Sequence, residues 1–297
     1  MMKEKKILAL GFFDGVHLGH GALLKACRAL ADEQGVLAGA VTFDAHPDAL
    51  ISGKAPGLLN TAADRQRIME EQYHMDTVIT LPFDREMMRL SWQDFFNMLV
   101  EKFGAVGLVC GHDFRFGHRG AGNASVLQEI CEEKAMPCVV IPEQKLDGIT
   151  ISSTHIRSLL AVGHMESVKK YLGHPHFLTG EVVPGRKLGS KLGFPTANVE
   201  IPEGVACPRH GVYACKAQVD GKHYIAVTNV GSRPTVQGHQ VRAEGWLLDF
   251  EGDLYGKTIT LEFHYFLRPE KKFDSLEQLK AAVLADGART RSYFLEN

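Results

Sequence analysis

The chain has 297 residues, 45% of them apolar and 23% charged, with a net charge of −2. That length holds two domains, or one large one, with an ordinary core, and the near-neutral charge excludes a general polyanion binder. It leaves small phosphorylated ligands open, since these need only a local positive site.

No apolar run approaches the ~20 residues of a membrane-spanning helix. The N-terminal run from Ile7 to Phe13 is interrupted by Gly11 and closed by Asp14, so it does not read as a secretory signal. Six cysteines (Cys27, Cys110, Cys131, Cys138, Cys207 and Cys215) are scattered without a CxxC pair. They read as reduced, mostly buried thiols of a cytoplasmic protein.

In chain order the first half alternates. Strand-like runs at 7–10, 36–43, 77–81, 106–110 and 138–141 are interleaved with helical spacing at 18–34, 62–73, 92–103 and 124–134. Asn60 or Thr61 caps the second helix and Ser91 the third. This alternation predicts a parallel sheet covered on both faces, with ligands at the carboxyl ends of the strands. After about residue 173 the pattern changes. Strand-like runs at 177–183, 211–219, 223–230, 243–250 and 258–266 are separated by turns such as Asp220-Gly221. They predict an antiparallel barrel or sandwich, closed by one helix over 275–284. The boundary falls within 172–176.

Gly11–His20 reads GFFDGVHLGH and lies at a strand-to-helix turn. Its three glycines let backbone come close to a ligand. The helix mouth offers N–H groups and a partial positive charge suited to phosphate. His17 and His20 share one face of the first turn, where imidazoles hydrogen-bond phosphate oxygens and stabilise charge that grows in a transition state. Taken alone, the stretch also fits a glycine-rich turn with incidental histidines. A metal site is a weaker fit to that spacing.

Three further segments change the reading. Val41–Pro47 is VTFDAHP, Gly111–Gly117 is GHDFRFG and Ile151–Arg157 is ISSTHIR. With GFFDGVHLGH, in this order, they resemble the motifs of the bacterial riboflavin kinase/FAD synthetases. The resemblance implies a Rossmann-like nucleotidyltransferase domain over residues 1–173. There the phosphate of FMN attacks the α-phosphate of ATP, leaving FAD and pyrophosphate, with no covalent enzyme intermediate. Positioning and electrostatics then carry catalysis. By this resemblance His17, His20 and Arg157 act at the reacting phosphates, and Gly11, Phe13, Gly19, Ser153 and Thr154 surround ATP. His46 and Asp113 face the flavin, with His46 fitting a structural loop role equally well. Ser152 to Thr154 also open a predicted helix, so simple capping is an equal reading for them. Asp14 reads as a turn former, and Ala45 stands where the family has proline.

Gly185–Asn198 reads GRKLGSKLGFPTAN, by itself a flexible basic loop without Walker spacing. Thr196 and Asn198 offer oxygens of the kind Mg²⁺ accepts beside nucleotide phosphates. GFPTAN resembles the hallmark of the riboflavin kinase module. GVY at 211–213, NVGSRPT at 229–235, LLDF at 247–250, DLYG at 253–256 and FLRPE at 266–270 follow in order. The resemblance implies a β-barrel kinase domain over 174–297 that phosphorylates riboflavin from ATP. It assigns Gly185, Lys191, Gly193, Thr196 and Asn198 to ATP, with Thr196 and Asn198 on Mg²⁺. Glu244 becomes the base for the ribityl 5′-hydroxyl, with a solvent-facing strand glutamate as the other reading. Arg268, Glu270 and Arg289 fit the lining of a flavin pocket, and surface salt bridges account for them almost as well.

Two departures stand out: Gly245-Trp246 follow Glu244 where the family has a histidine, and Ser190 replaces a common basic residue. They keep two alternatives open, an FAD synthetase with an impaired kinase domain and a non-catalytic flavin-binding regulator. The partners expected are riboflavin, FMN and ATP, with no nucleic acid and no membrane.

Overall fold

The structure, a computed structural model, describes residues 4–51, 53–185, 189, 192–235 and 238–296. The chain forms two compact units, one ending at Ser153 and one beginning at Thr154.

In the first unit, strands β1 (Lys6–Leu10), β2 (Leu37–Phe43), β3 (Thr77–Leu81), β4 (Ala105–Gly111) and β5 (Cys138–Ile141) form one parallel sheet. Their order is β3-β2-β1-β4-β5. Helix α1 (Leu18–Gln34) follows β1 and stops at Gly35, whose φ of 63° suits a left-handed cap. Next come α2 (Pro47–Ile51), α3 (Ala62–Tyr73), α4 (Arg85–Arg89), α5 (Trp92–Asn97) and α6 (Ala124–Glu133). Thr61, rather than Asn60, caps α3 by accepting from the Asp64 N–H at 3.1 Å. The helix expected over 92–103 is α-helical only to Asn97 and continues as a π-helical turn, Met98–Lys102.

The core of this unit lies between β1 and β4 on one side and α5 and α6 on the other, around Leu8, Leu108, Phe95, Leu99 and Leu127. Strand order reverses at β1, which pairs with β2 on one edge and β4 on the other. A ligand crevice forms where the carboxyl ends of two such strands diverge. Here those ends lead into Gly11 and Gly111.

The second unit opens with α7 (Ser153–Val162) and α8 (Met165–Leu172). Strands β6 (His176–Val183), β7 (Ala197–Glu200), β8 (Gly211–Val219), β9 (Lys222–Thr235), β10 (Gly238–Leu247) and β11 (Thr258–Arg268) close an antiparallel barrel. Its order is β6-β7-β10-β9-β8-β11. The two helices pack on this barrel, which is why the contact boundary precedes residue 173. The Arg209 N–H donates to the Leu160 carbonyl at 3.2 Å, and a Cβ on Gly163 would stand 3.2 Å from the Phe266 ring. Asp220 (φ 48°) and Gly221 (φ 76°) form the left-handed turn joining β8 to β9.

Helix α9 (Leu276–Glu296) runs well past the predicted stop at Leu284. Asp286-Gly287 looks like a terminator, but both residues have packing roles. Asp286 is buried against Arg268, and a Cβ on Gly287 would meet the Trp246 ring at 2.9 Å.

His176 on β6 is fully buried, and neither ring nitrogen has a hydrogen-bond partner. Burial, helped by His174, pushes its pKa from 6.5 down to about 3. Above pH 6.5 both folded and unfolded chains are neutral here. Below it only the unfolded chain binds the proton, so stability falls by about 1.4 kcal/mol per pH unit from 6.5 toward 3. The melting temperature of the barrel unit should therefore drop between pH 7 and 5, and His176→Leu should flatten that drop. Parallel curves for wild type and variant would show that His176 is not the group responsible.

Candidate active sites

The first site is built on the β1–α1 turn. His17 caps α1, its Nδ1 accepting the His20 N–H at 3.2 Å. An accepting Nδ1 leaves the proton on Nε2. The His17 and His20 rings stack with centroids 3.6 Å apart and planes 11° from parallel. Phe13, fully buried with φ 57°, packs edge-on against His20 at 5.3 Å. The two sequence-assigned glycines leave room for these rings. A Cβ would come within 3.1 Å of Phe13 at Gly11, and within 3.1 Å of His17 at Gly19.

Burial, His17 and Arg65 together hold His20 well below its ordinary pKa. At neutral pH it is an uncharged donor or acceptor rather than a cation. His20 Nδ1 is buried without a hydrogen-bond partner. The helix N-terminus supplies the positive field that a phosphate would meet.

Other segments converge on this turn. Asp14 is buried, its Oδ1 accepting the Leu59 N–H at 2.8 Å, a turn-holding role. Ser153 Oγ donates to the Asp14 carbonyl at 3.0 Å, which brings the end of the first unit, Ile151–Ser153, against GFFDGVHLGH. That hydroxyl proton is committed to the backbone in this state. Arg157 lies one helical turn on, its Nη2 donating to Thr154 Oγ1 at 3.4 Å. His46 Nδ1 accepts the Asp48 N–H at 3.1 Å, and its ring packs edge-on to Phe12 at 4.8 Å. His46 thus ties its own loop to the first one.

Beside these loops lies an apolar cavity of about 710 Å³. Phe43, Phe83, Phe95, Phe114 and Phe116 line it, with Pro47 at its edge. His46 and the exposed Asp113 do not line it; their neighbours Pro47 and Phe114 do. The aromatic lining had no signature in sequence, because its members come from separate strands, loops and helix α5.

The second site is the end of the barrel. Asn198, Glu244 and Asn229 are direct cross-strand partners on β7, β10 and β9. Partners in register point to the same face, so an amide flanks the carboxylate on each side. All three line a cavity of about 650 Å³ with Thr196, Trp246, Arg268 and Glu270. Thr196 also lines a second pocket of about 120 Å³, between β6 and the 250–255 turn. Asn198 Nδ2 donates to the Thr196 carbonyl at 3.4 Å, which leaves its own carbonyl oxygen and the Thr196 hydroxyl as hard oxygen donors. Gly185 lies behind Asn198, where a Cβ would stand 2.3 Å from Nδ2. Gly193 has φ 93°, a turn conformation that suits glycine. Lys191 and Ser190 lie outside the described residues.

Arg268 is held by Asp286 through a two-pronged pair, Nε to Oδ2 at 3.0 Å and Nη2 to Oδ2 at 2.7 Å. Glu270 Oε1 accepts from Asn229 Nδ2 at 3.3 Å. Gly245 points to the opposite face, toward Leu261, while Trp246 forms a cavity wall. Sequence reasoning missed Asn229 and Trp246. Strand alternation marks them as candidates, but the register that sets them beside Glu244 is not readable from one chain.

Fold and sites fit nucleotide chemistry at two candidate centres, one on a parallel sheet and one in a barrel. The FAD synthetase family profile matches residues 1–155 and the riboflavin kinase profile residues 172–294. The bifunctional riboflavin kinase/FMN adenylyltransferase of Pseudomonas fluorescens is 37% identical, over 96% of this chain and 92% of its own. That of Escherichia coli K12 is 35% identical, over 98% and 94%. A crystal structure described as a macrolide-efflux protein from Streptococcus pneumoniae superposes with a TM-score of 0.88 at 28% identity, covering 98% of this chain and 95% of that one. The chain belongs to the bifunctional riboflavin kinase/FMN adenylyltransferase family.

Proposed function

We propose that each of the two reactions has its own site, and that the residues named above carry them. The chain phosphorylates riboflavin to FMN and adenylylates FMN to FAD, with ATP as donor in both steps. The observation that carries the assignment of sites is the row Asn198–Glu244–Asn229 in one unit and the stacked His17–His20 pair at a helix mouth in the other.

In the adenylyl step the FMN phosphate oxygen attacks the α-phosphorus of ATP and pyrophosphate leaves. FMN brings an anionic nucleophile, so no base is needed. His17 Nε2–H and the α1 N-terminus stabilise the equatorial oxygens of the transition state, and neutral His20 adds a donor without charge. Arg157 and the first turn of α7, with Ser153 and Thr154, take the leaving pyrophosphate. The isoalloxazine fills the phenylalanine-lined cavity, with His46 and Asp113 at its rim.

In the kinase step Glu244 accepts the 5′-hydroxyl proton as that oxygen attacks the γ-phosphorus, and ADP leaves. Asn198 and Asn229 flank the carboxylate in strand register. Riboflavin occupies the 650 Å³ cavity with its ring system against Trp246, Arg268 and Glu270. ATP reaches Thr196 from the smaller pocket. Bound beside ATP, Mg²⁺ would supply neutralisation of phosphate charge. Thr196 and Asn198 would hold it, in keeping with an ion that retains most of its waters. No group of three acidic, histidine or cysteine ligands occurs among the described residues.

Neither alternative gains support from the geometry. Gly245 does not enter the kinase cavity, and Glu244 keeps both amide neighbours. No helix among the described residues is long and apolar enough to cross a membrane. The six free thiols support a reducing compartment, the cytoplasm. The test is chromatography of products from riboflavin, ATP and Mg²⁺. FMN should appear first and FAD after it, and removal of Mg²⁺ by a chelator should stop both. FAD from supplied FMN, with no FMN from riboflavin, would overturn the kinase assignment.

A further inference from the structure

Arg65 on α3 is fully buried, yet its guanidinium reaches two different loops of the adenylyl site. Nη1 donates to the Phe12 carbonyl at 2.6 Å, and Nη2 to the Phe43 carbonyl at 2.8 Å. The same group lies 4.4 Å from the Phe12 ring centroid. Thr42 Oγ1 adds a second tie to the Phe12 carbonyl at 2.8 Å. Phe12 belongs to the loop that carries the histidines; Phe43 ends β2 and lines the apolar cavity.

We infer that Arg65 is a positioning residue for adenylyl transfer, holding the nucleotide loop and the flavin cavity in fixed register. The inference rests on the site assignment proposed above. A planar fork with paired donors meets two carbonyls at once; an ammonium offers only a point charge. The arrangement is costly as packing alone. Burial pulls the Arg65 pKa down against the Asp14 and Asp44 carboxylates that offset its charge, and Nε is left without a partner. A methionine would fill the space without that cost. What the arginine supplies is geometry. The two substrates are held by separate loops, and a misplacement of about 1 Å between reacting groups costs on the order of 10²-fold in rate.

Arg65 touches neither substrate, so its loss should fall on kcat rather than on either KM. Arg65→Met should lower kcat for FAD formation from FMN by about 100-fold, with both KM values within about threefold. Riboflavin phosphorylation by the same sample should be unchanged, and an unaltered melting transition of the first unit reports that it is folded. Arg65→Lys keeps charge and stem but lacks the fork, and should lose at least about tenfold in kcat; it decides the matter if Arg65→Met does not fold. The inference is overturned if Arg65→Lys keeps kcat within about threefold, or if the loss appears only in one KM. The His17→Ala/His20→Ala variant is measured alongside. If it still makes FAD, the site assignment itself has failed. If it does not, and the Arg65 variants do, only the positioning role has failed.

Discussion

The double variant His17→Ala/His20→Ala should lose FAD formation by at least about 10³-fold and still convert riboflavin to FMN at the wild-type rate. The magnitude follows from removing two preorganised donors, each worth on the order of 10²–10³ in rate in a water-poor site. His17 is also the α1 cap, and its Nδ1 holds the His20 N–H. Loss of the cap costs about 1 kcal/mol, too little to unfold the unit and too little to explain the rate. His17→Asn separates the two effects. Asparagine caps a helix well but cannot reproduce the Nε2–H, so stability should return while FAD formation stays low. A variant that regains activity with its cap would show that the histidine is structural.

Glu244→Gln should produce the mirror image. The amide keeps the size of the side chain and its place between Asn198 and Asn229, but it cannot accept the hydroxyl proton. FMN formation should fall by about 10²-fold or more, and adenylylation of supplied FMN should persist. Because shape is conserved, KM for riboflavin should hardly move and the loss should appear in kcat. If KM rises instead and kcat is retained, Glu244 binds flavin and another group takes the proton.

Much of this was legible in the chain because motifs and periodicity are local. The bounds of α1 and α3 follow from 3.6-residue spacing, with Thr61 one of the two caps the sequence offers. The parallel sheet follows from alternation of short β-rich runs with amphipathic helices. What was not legible was non-local. The length of α9 depends on Trp246 packing over Gly287 and on Arg268 pairing with Asp286, residues distant in sequence. Strand β7, Ala197–Glu200, looked like the tail of a basic loop, because its partner β10 supplies the reason for its extended form. The same holds at the sites. His17, His20, Thr196, Asn198 and Glu244 sit in motifs. Arg65 matters through the two carbonyls it touches, and Asn229 through its hydrogen bond to Glu270 and its register beside Glu244. The phenylalanine cavity draws on β2, α5 and several loops, so no window of sequence contains it.

The central claim is that two independent sites in one chain share FMN as product and substrate. Its most direct test mixes the two variants. His17→Ala/His20→Ala alone, given riboflavin, ATP and Mg²⁺, should stop at FMN, and Glu244→Gln alone should make almost nothing. Together they should produce FAD, since FMN released by the first is adenylylated by the second. A mixture that forms no FAD, although each variant keeps its own single activity on supplied substrate, would contradict two independent sites exchanging FMN.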